Sequence, residues 1–368
     1  GFYINNLHDN ISPRLIFWEL TQRCNLRCVH CRASVSSFPL PGELTGEEIK
    51  KVIYSLTVFG KPILVLTGGE PLYRSDIFDI IDYGVKMDFP VALATNGTLI
   101  DEAVADKIVS SGVRRVSISI DGASSATHDG FRGIAGSFQA TMNGFNNLKK
   151  HGMSIQFNTT ITRHNFREIP DILNMAVNLG ADALHVFLLV PVGCGVELSK
   201  EQQITPDEYE DILNWLYEKS QSSPVQLKAT CAPHYFRIMA QRGKERVKRG
   251  NGAHSMSAMT KGCLAGSGIM FISSTGDVRP CGYLPVSAGN IREKNIEEIW
   301  KNGDIFRELR NPDNLKGKCL VCEFKHICMG CRARAYGECG DYMGEEPFCS
   351  YMPAKLRNRK DDLNGYRG

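Results

Sequence analysis

Three cysteines lie close together near the start of the chain, in the spacing C-x3-C-x2-C. They are Cys24, Cys28 and Cys31, and they follow directly on the apolar run RLIFWEL. Three thiolates on one short loop can bind three irons of a four-iron cluster and leave the fourth iron open to another ligand. Zinc is the alternative, but a structural zinc site takes four protein ligands. His30 neighbours Cys31 too closely for easy chelation, so the spacing favours a redox-active iron–sulfur cluster.

A second group of cysteines is concentrated towards the end of the chain. The sequence has 13 cysteines in all, an odd number, and ample apolar residues. This combination argues against a disulfide-stapled secreted scaffold, so metal binding in a reducing cytoplasm is predicted. Paired C-x2-C spacings are typical of zinc knuckles, which leaves zinc and iron–sulfur clusters as alternatives here. The cysteines of this group are Cys263, Cys281, Cys319, Cys322, Cys328, Cys331 and Cys349.

Six short apolar runs alternate with amphipathic segments of helical length in the first half of the chain. Each run is rich in β-branched or large apolar residues, which indicates a buried strand. Six β-α units in series imply a parallel sheet with right-handed crossovers. Six units are fewer than the eight of a closed barrel, so we predict an α/β fold with an open, partial (β/α)6 barrel. Chemistry is expected at the carboxyl ends of its strands. The runs are 14–20, 62–68, 91–97, 114–122, 154–162 and 183–191.

Three regions are predicted along the chain. The barrel spans 14–200, a connecting helix and basic loop span 201–262, and a small loop-rich, cysteine-rich domain spans 263–352. The basic stretch 241–262 is interpreted either as a solvated loop or as a mobile cover for an anionic ligand. Metal clusters, rather than a large apolar core, are expected to hold the last region together.

The overall composition excludes several functional classes. Hydrophobic residues make up 42% and charged residues 23%, which is ordinary for a soluble globular protein. No run of about 18 apolar residues is present, so no membrane span is predicted. No secretory signal is visible, and a cytoplasmic location is expected. The net charge of +3 is too small to imply nucleic-acid binding.

The first cysteine motif and the predicted barrel together resemble the radical S-adenosylmethionine (SAM) superfamily. That family carries C-x3-C-x2-C after its first strand and a GGEP element after its second, and Gly68-Gly69-Glu70-Pro71 matches the latter. The resemblance implies that Cys24, Cys28 and Cys31 hold a 4Fe–4S cluster whose open iron chelates SAM. It also implies that GGEP hydrogen-bonds the methionine amine. The further SAM contacts that it implies, to the ribose and the carboxylate, are Asn96, Ser119, Asp121 and Arg132.

The second cysteine group resembles the SPASM extension of the same superfamily, which houses one or two auxiliary 4Fe–4S clusters. The usual central run ends C-x3-C, whereas this sequence has C-x2-C, and that departure could leave just one auxiliary cluster. Cys339 matches no position of the pattern. By analogy, Cys319, Cys322, Cys328 and Cys349 would complete one cluster, and Cys263, Cys281 and Cys331 would hold another that is one ligand short.

Several longer stretches resemble the tetrapyrrole-modifying branch of the superfamily. The similarity is to enzymes that oxidatively decarboxylate two propionates of iron-coproporphyrin III to vinyl groups, giving heme b. Relatives acting in heme d1 formation or on didecarboxysiroheme are near alternatives. A peptide-modifying SPASM enzyme and a non-catalytic electron carrier or zinc scaffold are more distant ones. The resemblance implies a tetrapyrrole substrate and an external low-potential electron donor. The stretches are 30–34, 66–72, 185–193, 228–238 and 330–336.

Cys231 and His234 lie between the barrel and the first auxiliary cysteine, and belong to neither cluster pattern. A buried thiol beside a hydrogen-bonded imidazole is the simpler interpretation. Thiolate and imidazole are also common protein ligands of heme iron. The alternative hypothesis is that one of the two residues approaches the tetrapyrrole or the incomplete auxiliary cluster.

Overall fold

The structure is a computed structural model that describes residues 11–33, 35–198, 202–248 and 262–357. Its strands, in chain order, are β1 (Leu15–Glu19), β2 (Ile63–Thr67), β3 (Val91–Thr95), β4 (Arg115–Ser119), β5 (Ile155–Ile161), β6 (Ala183–Leu188), β7 (Gln226–Thr230), β8 (Ile269–Ile272), β9 (Asp277–Arg279) and β10 (Gly289–Asn290). All ten belong to one sheet with the order β10-β9-β8-β1-β2-β3-β4-β5-β6-β7.

Helices connect these strands and also build most of the C-terminal region. The first of them begins at a capping box, in which the Thr45 hydroxyl accepts from the Glu48 N–H and the Glu48 carboxylate accepts from the Thr45 N–H. Such a box satisfies backbone donors that a helix start otherwise leaves unpaired. The helices are α1 (Gly46–Ser55), α2 (Ile77–Lys86), α3 (Glu102–Ser110), α4 (Ser125–Arg132), α5 (Ser137–Lys150), α6 (Ile169–Leu179), α7 (Pro206–Lys219), α8 (His234–Lys248), α9 (Ile296–Asn302), α10 (Asp304–Arg310), α11 (Gly317–Val321), α12 (Lys325–Cys328) and α13 (Arg332–Cys339).

The predicted α/β fold with a parallel sheet and a cysteine-rich C-terminal region is confirmed. Strands β1 to β7 are hydrogen-bonded in sequence order, and every pair among them is parallel. Their apolar side chains, with those of the crossover helices, form one continuous core that contains Trp18, Phe145 and Phe157. The carboxyl ends of these strands therefore meet at one edge of the sheet, where the predicted chemistry belongs.

The connecting region contains more regular structure than the sequence suggested. Strand β7 extends the parallel sheet beyond the six predicted strands, and α8 follows it. The loop prediction for 241–262 is wrong up to Lys248, because α8 continues to that residue. Apolar residues near the start of α8, such as Ile238, pack into the main core and stabilise the helix. Residues 249–261 of the predicted loop lie outside the described residues.

The cysteine-rich region begins inside the sheet. Strand β8 pairs in parallel with β1, from Leu15 opposite Ile269 to Trp18 opposite Ile272. Strands β9 and β10 then add antiparallel neighbours at this edge. A second, smaller apolar core lies beyond them and includes Leu284. The C-terminal region is thus joined to the barrel by backbone hydrogen bonds as well as by side-chain packing.

Within the described ranges, none of the helices combines the length and the apolar character needed to cross a bilayer.

Candidate functional site

The loop of Cys24, Cys28 and Cys31 follows β1 and is fixed by backbone hydrogen bonds to three other segments. The Cys24 N–H donates to Ser36 O at 3.0 Å, and the Cys194 N–H donates to Cys31 O at 2.9 Å. A third bond runs from the residue after Cys28 to the C-terminal part of α4. The three thiols are half-buried and interact electrostatically with one another. The structure therefore brings the predicted ligands together on one rigid loop.

The GGEP turn packs directly against the backbone that leads into this loop. The Gly69 N–H donates to Thr21 O at 2.7 Å, and the Glu70 N–H donates to Arg23 O at 2.8 Å. A Cβ atom on Gly68 would lie 2.6 Å from Thr21 O, and one on Gly69 would lie 2.4 Å from Arg23 O. Both contacts are far below van der Waals distance, so only glycine permits this close approach.

Glu70 holds the end of β3 in place from a fully buried position. Its carboxylate accepts from the Thr95 hydroxyl at 2.8 Å and from the Asn96 N–H at 2.8 Å. Burial raises the pKa of Glu70 to about 7, and these hydrogen bonds partly oppose the increase. Asn96 is positioned in turn, and its side-chain amide donates to Asn25 Oδ1 at 2.9 Å and to Cys24 Sγ at 3.9 Å. Asn96 therefore lies within reach of a cluster bound by the loop.

Arg132 and Asp121 form a buried ion pair behind the same loop. Arg132 also donates to Cys28 Sγ at 3.5 Å, and Asp121 Oδ1 accepts from the Thr160 N–H at 2.7 Å. Burial alone would lower the pKa of Arg132, but the Asp121 charge raises it, so the guanidinium stays charged. Asp121 has no exposed surface. Ser119 ends β4 nearby and is half-buried.

Four of the auxiliary cysteines line one cavity of the C-terminal region. Electrostatic interactions link Cys328 with Cys349 and with Cys319, and link Cys322 with two of these residues. Burial raises the pKa of all four thiols, so bound metal is needed to hold them as thiolates. This first auxiliary set is Cys319, Cys322, Cys328 and Cys349.

The remaining auxiliary cysteines are joined by a residue from the connecting region. Cys231 directly follows β7 and interacts electrostatically with all three cysteines of the incomplete cluster. Its backbone is left-handed, with a φ of 54°, and its carbonyl oxygen accepts from Arg334 at 2.7 Å. His234 interacts mainly with Glu346, and its ring nitrogens are buried without a hydrogen-bond partner among the described residues. The second auxiliary set is Cys231, Cys263, Cys281 and Cys331.

The cysteine sets fit multi-iron clusters better than single ions. In the described part of the chain, no three Cys, His, Asp or Glu side chains converge closely enough to hold one metal ion. In a 4Fe–4S cluster each thiolate binds a different iron, so the sulfur atoms stand further apart than they do around one zinc ion.

A buried ion pair connects the second auxiliary set with the barrel. Arg334 donates to Glu346 at 2.8 Å and to Leu189 O, just beyond β6, at 3.3 Å. Glu346 accepts from the Cys331 N–H, while Arg334 also binds Cys231 O. Burial raises the pKa of Glu346, but the Arg334 charge outweighs burial and lowers it to about 2. Both side chains are therefore charged, and they tie two auxiliary cysteines to the sheet.

A cavity of about 470 Å³ lies between the cysteine loop and the second auxiliary set. Arg32, next to Cys31, lines one part of it, and Tyr283, two residues after Cys281, lines another. This volume falls within the range of small-molecule binding sites. Neither Cys231 nor His234 is among the described residues that line it.

Comparison with known proteins identifies the family. A model of the radical SAM superfamily matches residues 18–176, and one of the SPASM iron–sulfur cluster-binding domain matches residues 263–331. A Methanosarcina barkeri protein named AdoMet-dependent heme synthase is 54% identical over 346 residues, covering 94% of this chain and 98% of that protein. The chain belongs to the radical SAM superfamily. It is an enzyme that uses a 4Fe–4S cluster and SAM, and its SPASM region holds auxiliary iron–sulfur clusters.

Two further comparisons agree with this assignment. An Oleidesulfovibrio alaskensis protein, also named AdoMet-dependent heme synthase, is 47% identical over 345 residues, covering 93% of this chain and 88% of that protein. The crystal structure of Streptococcus suis SuiB bound to S-adenosylmethionine superimposes with a TM-score of 0.71 and 17% identity, covering 93% of this chain and 78% of that one. The second similarity supports the fold of this radical SAM chain.

Sequence reasoning missed the charged residues that support the site. Arg334 and Glu346 are fully buried and paired, yet in the sequence they resemble ordinary surface charges. The only available signal was their position within a cysteine-rich segment, where few apolar residues are available to cover a cluster.

Proposed function

We propose that this radical SAM enzyme converts iron-coproporphyrin III to heme b by oxidatively decarboxylating two propionates to vinyl groups. The observation that carries the proposal is the cavity of about 470 Å³ that is bordered both by Arg32, beside the SAM-cluster loop, and by Tyr283, beside the second auxiliary set. The reaction needs a site where hydrogen removal and electron acceptance can act on one substrate. The relatives named AdoMet-dependent heme synthase support the same conclusion.

The proposed ligands follow from the placement of the side chains. Cys24, Cys28 and Cys31 would hold the SAM cluster, which requires an external low-potential electron donor, and each of the two auxiliary sets would hold one 4Fe–4S cluster. When bound, the SAM cluster and SAM would supply the radical that removes a hydrogen atom from a propionate. The auxiliary clusters would supply a site for the electron that is released when carbon dioxide leaves. Cys231 supplies the fourth ligand that the second set otherwise lacks.

The chain's own residues bind and orient SAM at the ends of β2 to β4. The GGEP backbone receives the methionine amine, while Asn96, Ser119 and Arg132 contact the rest of the molecule. Asp121 acts from behind, because its carboxylate is already paired with Arg132 and the Thr160 N–H. Pre-organised donors of this kind bind without the cost of reordering at the moment of reaction.

The first test uses reconstituted protein under anaerobic conditions with SAM, a reductant and iron-coproporphyrin III. Heme b and the monovinyl intermediate should form, together with 5′-deoxyadenosine, and mass spectrometry quantifies all three. Replacing Cys24, Cys28 and Cys31 with Ala should abolish deoxyadenosine while the visible absorbance of the auxiliary clusters persists. Cys339→Ala is the matched control, because Cys339 is exposed and outside both sets. Conversion of didecarboxysiroheme, with iron-coproporphyrin III left unchanged, would contradict the proposal.

The second test addresses the ligand role of Cys231. Cys231→Ala should lower the iron and sulfide content per chain and alter the magnetic resonance spectrum of one auxiliary cluster. Reductive cleavage of SAM should continue, but it should be uncoupled from vinyl formation. His234→Ala should keep the iron content of the wild type. Equal iron content and an unchanged spectrum in Cys231→Ala would remove this residue from the ligand set.

A further inference from the structure

The cavity has an apolar part and a basic part. Pro191, Val192 and Phe348 contribute apolar surface, and Val196 stays 66% exposed although it is a large apolar residue. Three arginines, Arg32, Arg279 and Arg334, also line the cavity. This combination suits a ligand with a broad apolar face and anionic groups at its edge.

Two of the three arginines are already engaged inside the protein. Arg32 donates to Glu19 at 2.8 Å and to Gly282 O at 3.3 Å. Arg334 uses its donors on Glu346, Leu189 O and Cys231 O. These bonds fix the walls of the cavity, and they leave neither guanidinium with a full set of donors for a ligand.

Arg279, at the end of β9, is engaged far less. Its partner in the described residues is Asp277, whose Oδ2 lies 3.6 Å from Nη2, beyond normal hydrogen-bond length. Its Nε atom is buried and has no hydrogen-bond partner in the described part of the chain. A buried donor without a partner costs free energy, and a bound acceptor would relieve that cost.

Neither of the two carboxylates that line the cavity pairs with Arg279 in the described part of the chain. Glu19 is neutralised by Arg32 at 2.8 Å and also accepts from Gln22 at 3.3 Å. Glu338 lies in an exposed segment, where water solvates its charge. Among the three arginines that line the cavity, Arg279 therefore has the fewest hydrogen-bond partners in the described residues.

We infer that Arg279 binds a carboxylate of the substrate, and that this carboxylate is one that remains in the product. The inference rests on the proposed function. A planar guanidinium binds a carboxylate through two parallel hydrogen bonds. Such a pair stabilises the ionised carboxylate, which would oppose its loss as carbon dioxide. Arg279 therefore anchors a propionate that does not react, and so orients the macrocycle so that another propionate faces the SAM side of the cavity.

The test compares the binding of three pigments by their visible absorbance: iron-coproporphyrin III, its tetramethyl ester, and heme b, which keeps two propionates. Arg279→Gln should weaken binding of iron-coproporphyrin III and of heme b by about ten- to a hundredfold, the cost of losing a charge-assisted hydrogen bond. Binding of the ester should be equal in wild type and variant. The affinity of Arg279→Lys for iron-coproporphyrin III should lie between those of the wild type and Arg279→Gln, because lysine keeps the charge but lacks the planar guanidinium.

Arg307→Gln is the matched control, since Arg307 is an exposed arginine of α10 that lies outside the cavity. Equal iron content in all proteins shows that they are folded. Unchanged affinity of Arg279→Gln for iron-coproporphyrin III overturns the inference alone. Weakened binding of iron-coproporphyrin III with unchanged binding of heme b also overturns it, because Arg279 would then hold a reacting propionate. Wild-type protein that binds neither pigment overturns the proposed function together with this site.

Discussion

Removing the charge of Glu346 should destabilise the C-terminal region strongly. In Glu346→Gln the side chain keeps its size, but Arg334 is left charged and unpaired in a position without exposed surface. Arg334 Nε and Nη2 donate to the two carboxylate oxygens of Glu346 at 2.8 and 3.2 Å, and Glu346 also accepts from the Phe348 N–H at 3.1 Å. Breaking a buried pair of this kind costs about 3–5 kcal/mol, most of it from the uncompensated charge.

The expected loss can be measured as a shift in the melting temperature. For a chain of 368 residues, whose unfolding entropy is about 0.8 kcal/mol per degree, about 3–5 kcal/mol corresponds to a decrease of roughly 4–6 °C. Anaerobic thermal unfolding, followed by circular dichroism and by the visible absorbance of the clusters, gives both the fold and its metal content. The absorbance of the second auxiliary set should disappear first, because Glu346 accepts from the Cys331 N–H and Arg334, on α13, donates to Cys231 O.

Two further variants serve as controls for the loss of the buried ion pair. Asp304→Asn breaks an arginine–carboxylate pair whose side chains are 63% and 84% exposed, and it should leave the melting temperature unchanged. The double variant Arg334→Met with Glu346→Leu removes both charges and should recover part of the lost stability, while the Cys331 and Phe348 N–H groups lose their acceptor. If Glu346→Gln melts within about 1 °C of Asp304→Asn, the pair does not hold this region together.

Three other outcomes are expected. Gly69→Ala should lower the free energy of unfolding by about 1–3 kcal/mol and reduce the iron content of the SAM cluster, because its Cβ would lie 2.4 Å from a carbonyl oxygen. Iron analysis checks this against the control Gly243→Ala, where nothing lies within 4 Å of the added Cβ. Equal loss of iron in both variants would contradict the prediction. Arg132→Gln should lower the reduction potential of the SAM cluster by roughly 50–100 mV, because the guanidinium donates to Cys28 Sγ. A redox titration followed by magnetic resonance measures the potential, and an unchanged value would rule out this contact. Removing iron with a chelator should lower hydrogen-exchange protection in α11 to α13, the helices that carry or flank several of the auxiliary cysteines, while β1 to β6 and β8 stay protected in the main sheet. Equal loss in both parts would contradict this.

The parallel sheet could be predicted because most of its strands are buried on both faces. Such strands consist of nearly continuous apolar runs, as in β2 (ILVLT) and β3 (VALAT). Strand β7 was missed because it lies at the edge of the sheet. Its sequence, QLKAT, includes lysine and glutamine, and only one of its five residues is buried. An edge strand of this kind has no apolar pattern that distinguishes it from a loop.

The cysteine spacings indicated the two ends of the site and left the approach of Cys231 or His234 to the incomplete auxiliary cluster as one of two hypotheses. Cys231 is separated from Cys263 by more than thirty positions, and only the pairing of β7 with β6 brings it to the second auxiliary set. Arg279 and Arg334 were missed for a different reason. The residue type of an arginine does not reveal whether its side chain is buried, exposed or without a partner. Its role depends on packing that the sequence does not display.

The position of β1 has a consequence for the synthesis of the chain. One of its two neighbours, β2, begins at Ile63, but the other, β8, begins only at Ile269. Ribosomes add about 5–20 residues per second, so β1 waits roughly 10–50 s for its second partner. During that time its free edge exposes unpaired backbone groups beside Trp18, a surface on which nascent chains pair wrongly or aggregate. The growing chain therefore keeps an unpaired strand edge at β1 until β8 leaves the ribosome, and a chain that stops after β7 retains this edge permanently.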